Sequence, residues 1–350
     1  MSAVPASPAG AGRYTIELAR ALAARRDTDL LFVARRSDAA RWRAIGGPGD
    51  VVVAAAPAAR PVRLAWEQAV LPGLLGRRHP DVHHAPHYTM PERTRLPVVV
   101  TVHDCTYFDH PEWHERTKVA VFRRAIRVAA RRASVVVCVS EATARDLRSA
   151  CEVTVPVVVA PHGVDHRRFA PSGEEHGADA GVLRRVGIDA RRPYVLFVGT
   201  VEPRKDVATL VRAFARLAGA EPDVTLVIAG RPGWGEHGVD AAMEECREHR
   251  SRILRLGYVP DDAVAALLRG AAVVAYPSLA EGYGLPALEA LACGAPLVTT
   301  AGTAMAELAG DAALLVPPRD PGALAGALTS VLGAGRADRE VAARVARGLA

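Results

Sequence analysis

The chain has 350 residues, 44 Lys+Arg against 38 Asp+Glu, and 50% hydrophobic content, enough apolar side chain for two domains with cores of their own and too much for a disordered chain. No apolar run reaches the roughly 18–20 residues of a membrane span, and the first dozen residues lack the basic start and apolar stretch of a secretory signal. Five scattered cysteines without CxxC spacing exclude a disulfide framework and a cysteine zinc site, and place the chain in a reducing, cytoplasmic setting.

The net charge of +6 is uneven: residues 1–190 hold 27 basic and 20 acidic side chains, a net of +7, and residues 191–350 hold 17 and 18, a net of −1. A basic front half invites an anionic partner. With 5% aromatics and no basic-aromatic interleaving, nucleic acid is not that partner.

Along the chain, short β-branched runs alternate with helical stretches. Strands are expected at Leu30–Val33, Val51–Ala54, Asp81–Ala85, Pro97–Val102, Ser134–Val139 and Val155–Ala160, then at Tyr194–Val198, Val224–Ala229, Ile253–Leu256, Ala271–Tyr276, Pro296–Thr300 and Ala312–Val316. These runs are continuously apolar, as in parallel strands covered by helices on both faces. Helical spacing fills the gaps, for example Asp206–Ala218, Asp261–Arg269 and Pro286–Cys293. The expected architecture is α/β: a doubly wound front domain over residues 1–165, a linker over 166–192, and a second doubly wound domain over 193–350, facing each other across a cleft. Ligands of such sheets sit beyond the carboxyl ends of the strands, so the strand-to-helix junctions carry the chemistry.

The richest junction follows Tyr276. There a loop with Glu281, Gly282, Tyr283 and Gly284 leads into a helix with Leu285 and Pro286 in its first turn. The glycines admit a ligand close to the backbone, and the helix start offers positive potential to a phosphate. Glu289 stands among Leu288, Ala290 and Leu291, so it is expected to be buried and to need a partner such as a ligand hydroxyl. The plain alternative for either glutamate is a solvated face. A second junction, Gly199-Thr200-Val201-Glu202-Pro203-Arg204-Lys205, sets two cations beyond a strand, where a departing diphosphate needs neutralising. An exposed basic turn is its plain reading. A third, His103-Asp104, ends an apolar strand and is read either as a hydroxyl-binding pair or as a helix cap. Gly10-Ala11-Gly12 is expected to form a turn ahead of a helix at Tyr14–Ala24.

Glu281-x7-Glu289 within EGYGLPALEAL resembles the signature of glycosyltransferase family 4, the retaining nucleotide-sugar enzymes of GT-B fold. GRYTIELARAL (12–22), VHDCTYFDHPEWH (102–114), VSEATARDL (139–147), PHGVD (161–165), VGTVEPRKD (198–206), LVIAGRPGWG (226–235) and LGYVPD (256–261) are similar to further segments of that family, in its order. The resemblance implies a hexosyltransferase that uses a nucleoside-diphosphate sugar as co-substrate, with no other cofactor and no metal, and a glycan or lipid-linked acceptor in cell-surface polysaccharide or glycoconjugate synthesis. It implies that Arg204 and Lys205 hold the donor phosphates near Gly199 and Thr200, and that Glu281 binds the donor sugar beside Gly282, Tyr283, Gly284 and Leu285. Glu289 would bind the ribose, Val259 the base through its main chain, His103 the donor sugar, Asp104 the acceptor, and Gly12 the ligand at the first loop. Two features depart from the family pattern: residues 1–9 cannot supply the apolar strand expected before that loop, and Ala350 precedes the usual aromatic C-terminal helix. Other readings are a non-catalytic nucleotide-sugar-binding protein and a sugar-nucleotide epimerase of the same fold.

The histidines of His79–His87 are not read as a metal site, because neighbours on a strand face opposite ways and no carboxylate completes a set. Helix Glu115–Arg132, with six arginines beside Val119, Phe122 and Ile126, is an ordinary solvated helix or, alternatively, a peripheral contact with an anionic membrane at the inner face.

Overall fold

A computed structural model describes residues 4, 10–47, 50–171, 179–234 and 237–333. The chain divides into two compact units, Met1–His162 and Gly163–Ala350.

In the first unit, β1 (Phe32–Arg35) and β2 (Val51–Ala54) form a parallel pair. A separate parallel sheet holds β3 (His83–Ala85), β4 (Val98–Val102), β5 (Val135–Cys138) and β6 (Val157–Val159) in that order. Burial explains the run of valines: Val98, Val100 and Val102 of β4 and Val136 and Cys138 of β5 are nearly or wholly inaccessible, packed against Phe122, Ile126, Ala129 and Ala130 of helix Arg116–Arg132. The arginines of that helix lie off its core face. Arg124 Nη1 reaches Glu92 Oε1 at 2.5 Å, Arg132 also pairs with Glu92, and Arg131 Nη2 donates to Glu152 Oε2 at 2.9 Å.

The second unit is one six-stranded parallel sheet built from β7 (Tyr194–Val198), β8 (Thr225–Ala229), β9 (Ile253–Gly257), β10 (Val273–Tyr276), β11 (Leu297–Thr300) and β12 (Ala313–Val316). Its order is β12-β11-β10-β7-β8-β9. The chain builds outward from β7 through β8 and β9, then returns to β7's other edge with β10 and continues outward through β11 and β12. The reversal puts the carboxyl ends of β7 and β10 side by side, the place where flanking loops diverge and leave room for a ligand. Helix Val207–Ala218 covers one face with Val207, Leu210, Val211, Phe214 and Leu217, all buried.

All twelve expected strands are present; eight are one or two residues shorter at one or both ends, and the first runs two residues later than expected, Phe32–Arg35 against Leu30–Val33. Two local expectations differ from the structure. Helix Gly10–Ala23 already includes Gly10, Ala11 and Gly12, so these residues are its first turn and not a loop ahead of it. Residues 166–192, read as a linker, contribute Phe169, Leu183 of helix Asp179–Arg185, and Ile188 to the second unit's core, and Arg269 Nε ties Asp179 Oδ2 at 2.6 Å. Their polar, Gly-rich composition hid three buried side chains. The strand expected to be wanting over residues 1–9 falls where only Val4 is described; it is buried with Ile16, Ala34 and Trp42. Gly235 and the chain beyond residue 333 lie outside the described residues.

Candidate active site

The junctions after β7 and β10 meet through charge. Pro203–Lys205 forms a 3-10 turn that turns Arg204 and Lys205 toward the loop after β10, and Leu279 N–H donates to Arg204 O at 2.7 Å, joining the two loops. Arg204 Nη1 donates to Glu281 Oε2 at 2.5 Å and Arg204 Nε to Glu202 Oε2 at 2.8 Å, while Lys205 Nζ donates to Glu281 Oε1. Two carboxylates thus face two cations. The Lys205 and Glu281 side chains are each 8% exposed, the Arg204 side chain 25%. Burial alone would raise the Glu281 carboxyl, but Arg204 and Lys205 outweigh it and hold it at about 2. Burial, helped by the neighbouring Arg204 charge, lowers the Lys205 ammonium.

Backbone shape at these junctions is set by glycine. Gly284 caps helix Leu285–Ala292 with φ +97°, and a Cβ there would lie 2.2 Å from Met305 Cγ. The Gly230–Gly233 turn after β8 crosses the Gly199–Val201 loop so closely that a Cβ on Gly230 would sit 1.8 Å from Gly199 O. Val201 and Pro232 form an isolated bridge there. The helix that Gly284 starts carries Glu289 on its buried side, as its apolar flanks implied; Glu289 is 6% exposed. Burial and then the Glu289 charge push the Tyr276 hydroxyl far above its ordinary range. Among the described residues, Ser278 Oγ and Thr300 Oγ1, at the carboxyl ends of β10 and β11, are buried without a hydrogen-bond partner. At the end of β9, Val259 is buried beside Tyr258, whose exposed ring carries the Arg231 guanidinium 4.5 Å above its centroid.

The first unit holds a second constellation. His103 Nε2 lies 2.8 Å from Pro86 O; a carbonyl only accepts, so Nε2 carries the proton and Nδ1 presents a lone pair when the ring is neutral. The Tyr14 ring meets it edge-on at 5.0 Å, and His87 and His162 lie 5.7 and 6.3 Å away, centroid to centroid. His84 Nε2 and the Tyr14 hydroxyl both reach Thr101 Oγ1, at 2.8 and 3.1 Å. Burial lowers all four imidazoles, His84 and His162 to about 4, His87 to about 3. Asp104 Oδ1 accepts from Thr106 N–H and Oγ1–H just ahead of the short helix Thr106–Asp109, whose N-cap position is Cys105 and has no side-chain cap. Among the described residues no group of three or more His, Cys, Asp or Glu is placed to hold a metal ion. Nor is any helix long and apolar enough to cross a membrane.

Of the expected site residues, Gly199, Thr200, Arg204, Lys205, Glu281, Gly282, Tyr283, Gly284, Leu285, Glu289 and Val259 fall on the carboxyl-end loops of the second unit's sheet or on the helix starting there, and His103 and Asp104 share one loop of the first unit. Gly12 lies inside a helix. The sequence reading missed Glu202, Tyr276, Ser278, Arg231 and Tyr258. Glu202 could have been found, because it stands two residues before an arginine whose charge needs an anchor. Tyr276 and Ser278 look like strand-end filler until the strand order places their buried hydroxyls beside Glu289's helix and the loop after β7.

Two family models match in tandem, "Glycosyltransferase Family 4" over residues 8–168 and "Glycosyl transferases group 1" over residues 192–334. The chain is 28% identical over 335 residues to O-antigen chain mannosyltransferase B of Escherichia coli, covering 90% of this chain and 84% of that one. It is 37% identical over 186 residues to the D-inositol 3-phosphate glycosyltransferase of Mycolicibacterium vanbaalenii, a match to 49% of this chain and 39% of that protein. Among solved structures, Anabaena HepE in complex with UDP and glucose superposes with a TM-score of 0.74 over 99% of this chain and 92% of that one, at 20% identity. That likeness establishes the two Rossmann-like domains of the GT-B fold.

Proposed function

The chain belongs to the group 1 glycosyltransferases, and we propose that it moves a hexose from a nucleoside-diphosphate sugar to a hydroxyl of a glycan or glycolipid, with retention and without a metal ion. The observation that carries this reading is the pairing of Arg204 and Lys205 with Glu281 and Glu202 at the point where the strand order reverses. In this reading a leaving diphosphate takes these two cations over from Glu281, and the start of helix Leu285–Ala292 adds its positive end. Fixed cations in a mostly buried setting do the work that a divalent ion does elsewhere.

In this reading Glu281 binds sugar hydroxyls and is not the nucleophile. Glu289 accepts from the ribose hydroxyls, and the main chain at Val259 meets the base, with the Arg231–Tyr258 stack beside it. The lone pair of His103 accepts from a donor-sugar hydroxyl, and Asp104 faces the acceptor. Mannose is the sugar proposed first, from the E. coli relative's name, and glucose second, from the ligand of HepE. The exposed Arg116 and Arg127, which make no ion pair among the described residues, are the cations proposed to meet an anionic membrane surface carrying a lipid-linked acceptor.

The test incubates the protein with GDP-mannose or UDP-glucose, alone and with a glycan acceptor, in EDTA. A glycosylated acceptor with the anomeric configuration of the donor is the expected product. An isomerised donor, or binding with no product, contradicts the proposal.

A further inference from the structure

Asp104 follows His103 at the carboxyl end of β4, and among the described residues it makes no ion pair. Its charge is felt instead by neutral neighbours. Burial and then the Asp104 charge push the Tyr107 hydroxyl up to about 12, and raise the Tyr88 hydroxyl and the Cys105 thiol in the same way. Its Oδ1 is held twice by Thr106, whose N–H and Oγ1–H donate at 3.2 and 2.7 Å. Thr106 Oγ1 has a single hydrogen, and that hydrogen goes to Asp104. The His114 ring nitrogen Nε2, 2.9 Å from the same hydroxyl, is therefore the donor of that contact and carries a proton. The His114 ring in turn lies over Tyr107, centroids 4.2 Å apart and planes at 30°.

An aspartate turn just ahead of a helix requires only the Thr106 N–H. The buried hydroxyl and the histidine behind it are additional: they fix Oδ1 of Asp104 from one side, while the buried Tyr88 hydroxyl, which accepts from Asp104 N–H at 3.2 Å and hydrogen-bonds the carboxylate, holds it from the other. We infer that Thr106 and His114 are positioning residues for glycosyl transfer, acting in series to aim the Asp104 carboxylate at the acceptor hydroxyl, from which it accepts a hydrogen bond. The inference rests on the transferase reading and adds two residues, eight positions apart, to its acceptor side. A hydroxyl oriented within a hydrogen bond of the reacting centre is worth one to several orders of magnitude in rate, so loss of the aim is measurable.

The experiment uses the full chain as wild type, Thr106→Val, Thr106→Ser, His114→Phe and His114→Gln. GDP-mannose and UDP-glucose serve as donors and octyl α-D-mannopyranoside as the acceptor probe, with GDP and UDP affinities measured calorimetrically. Thr106→Val and His114→Phe are expected to lower kcat/KM for the acceptor by about tenfold or more, while nucleotide affinity stays within about twofold because that site belongs to the other unit. Thr106→Ser and His114→Gln, which keep the hydroxyl and an N–H, are expected to recover most of the loss. Unchanged acceptor kcat/KM in Val and Phe variants that have lost only thermal stability overturns the inference, and so does equal damage from the conservative pair. A wild-type chain that forms no product from either donor overturns the transferase reading itself, a result visible before any variant is made.

Discussion

Arg204 and Glu281 stand 77 residues apart in sequence and 2.5 Å apart in space, and Lys205 shares the same carboxylate. Glu281 is therefore the counterion of the two cations proposed to hold the donor's phosphates. In the proposed function a nucleoside diphosphate entering this site would compete with Glu281 for them, and the displaced carboxylate would become available to sugar hydroxyls. Glu281→Gln removes the competing charge and keeps the shape. Free nucleoside diphosphate should then bind about 3–10-fold tighter, a modest share of the several kcal/mol between charges 4 Å apart at intermediate dielectric, while turnover falls. Calorimetric titration beside transfer kinetics reads both. Weaker nucleotide binding by the variant would separate Glu281 from the phosphate cations.

Glu289 should behave in the opposite sense. A buried carboxylate that accepts from ribose hydroxyls contributes to free nucleotide and donor alike, so Glu289→Gln should weaken both by about 1.5–3 kcal/mol, the scale for hydrogen bonds to a charged group. Equal nucleotide affinities for this variant and wild type would remove the ribose from its role.

Gly284→Ala tests the backbone at the helix start. The new methyl would meet Met305 at 2.2 Å with φ held at +97°. Left-handed strain and overpacking together cost about 2–4 kcal/mol. Met305→Ala in the same chain should relieve the overpacking part and leave the strain. Thermal unfolding of the single and double variants measures the difference; a Gly284→Ala chain as stable as wild type would mean the loop takes another path.

The strand series was legible because parallel strands buried on both faces read as unbroken apolar runs, and β4 and β10 are such runs. Arg204, Lys205, Glu281 and Glu289 were legible because glycines and prolines mark strand-to-helix junctions on any doubly wound sheet. The ion pairs among them were not. Nothing in a linear sequence says that the loops after β7 and β10 are neighbours until the strand order is known. The same holds for His114 and Asp104, joined through a threonine that looks like filler. The 166–192 segment misled for a different reason: Phe169, Leu183 and Ile188 are isolated apolar residues in a polar stretch, without the periodicity that reveals a buried face.

The histidines of the first unit predict its acid sensitivity. His84, His87 and His162 are held neutral by burial, at about 4, 3 and 4, below the ordinary imidazole value of 6.5. Below that value the unfolded chain binds more protons than the folded one. The stability these groups contribute is therefore complete above about pH 6.5 and is lost as pH falls toward 4. Each shift corresponds to a few kcal/mol, on the order of 1.4 per pKa unit. Thermal unfolding followed from pH 8 to pH 4.5 should show a transition that moves steeply downward below pH 6.5, and His84→Asn should flatten that dependence. A midpoint constant over this range would mean the imidazoles are solvated.

The central claim is that a nucleoside diphosphate is held by Arg204 and Lys205 on the second unit. Lys205 is 7% exposed, and Met fills its space without its charge. Titration of wild type and Lys205→Met with GDP and UDP, in EDTA and at fixed ionic strength, addresses the claim directly. The account predicts saturable binding of at least one nucleotide to wild type in the absence of metal. It also predicts a loss of about 1.5–3 kcal/mol in the folded variant, with turnover down about 10²-fold. Undiminished nucleotide affinity in Lys205→Met, or wild-type binding that appears only when magnesium or manganese is added, would contradict it.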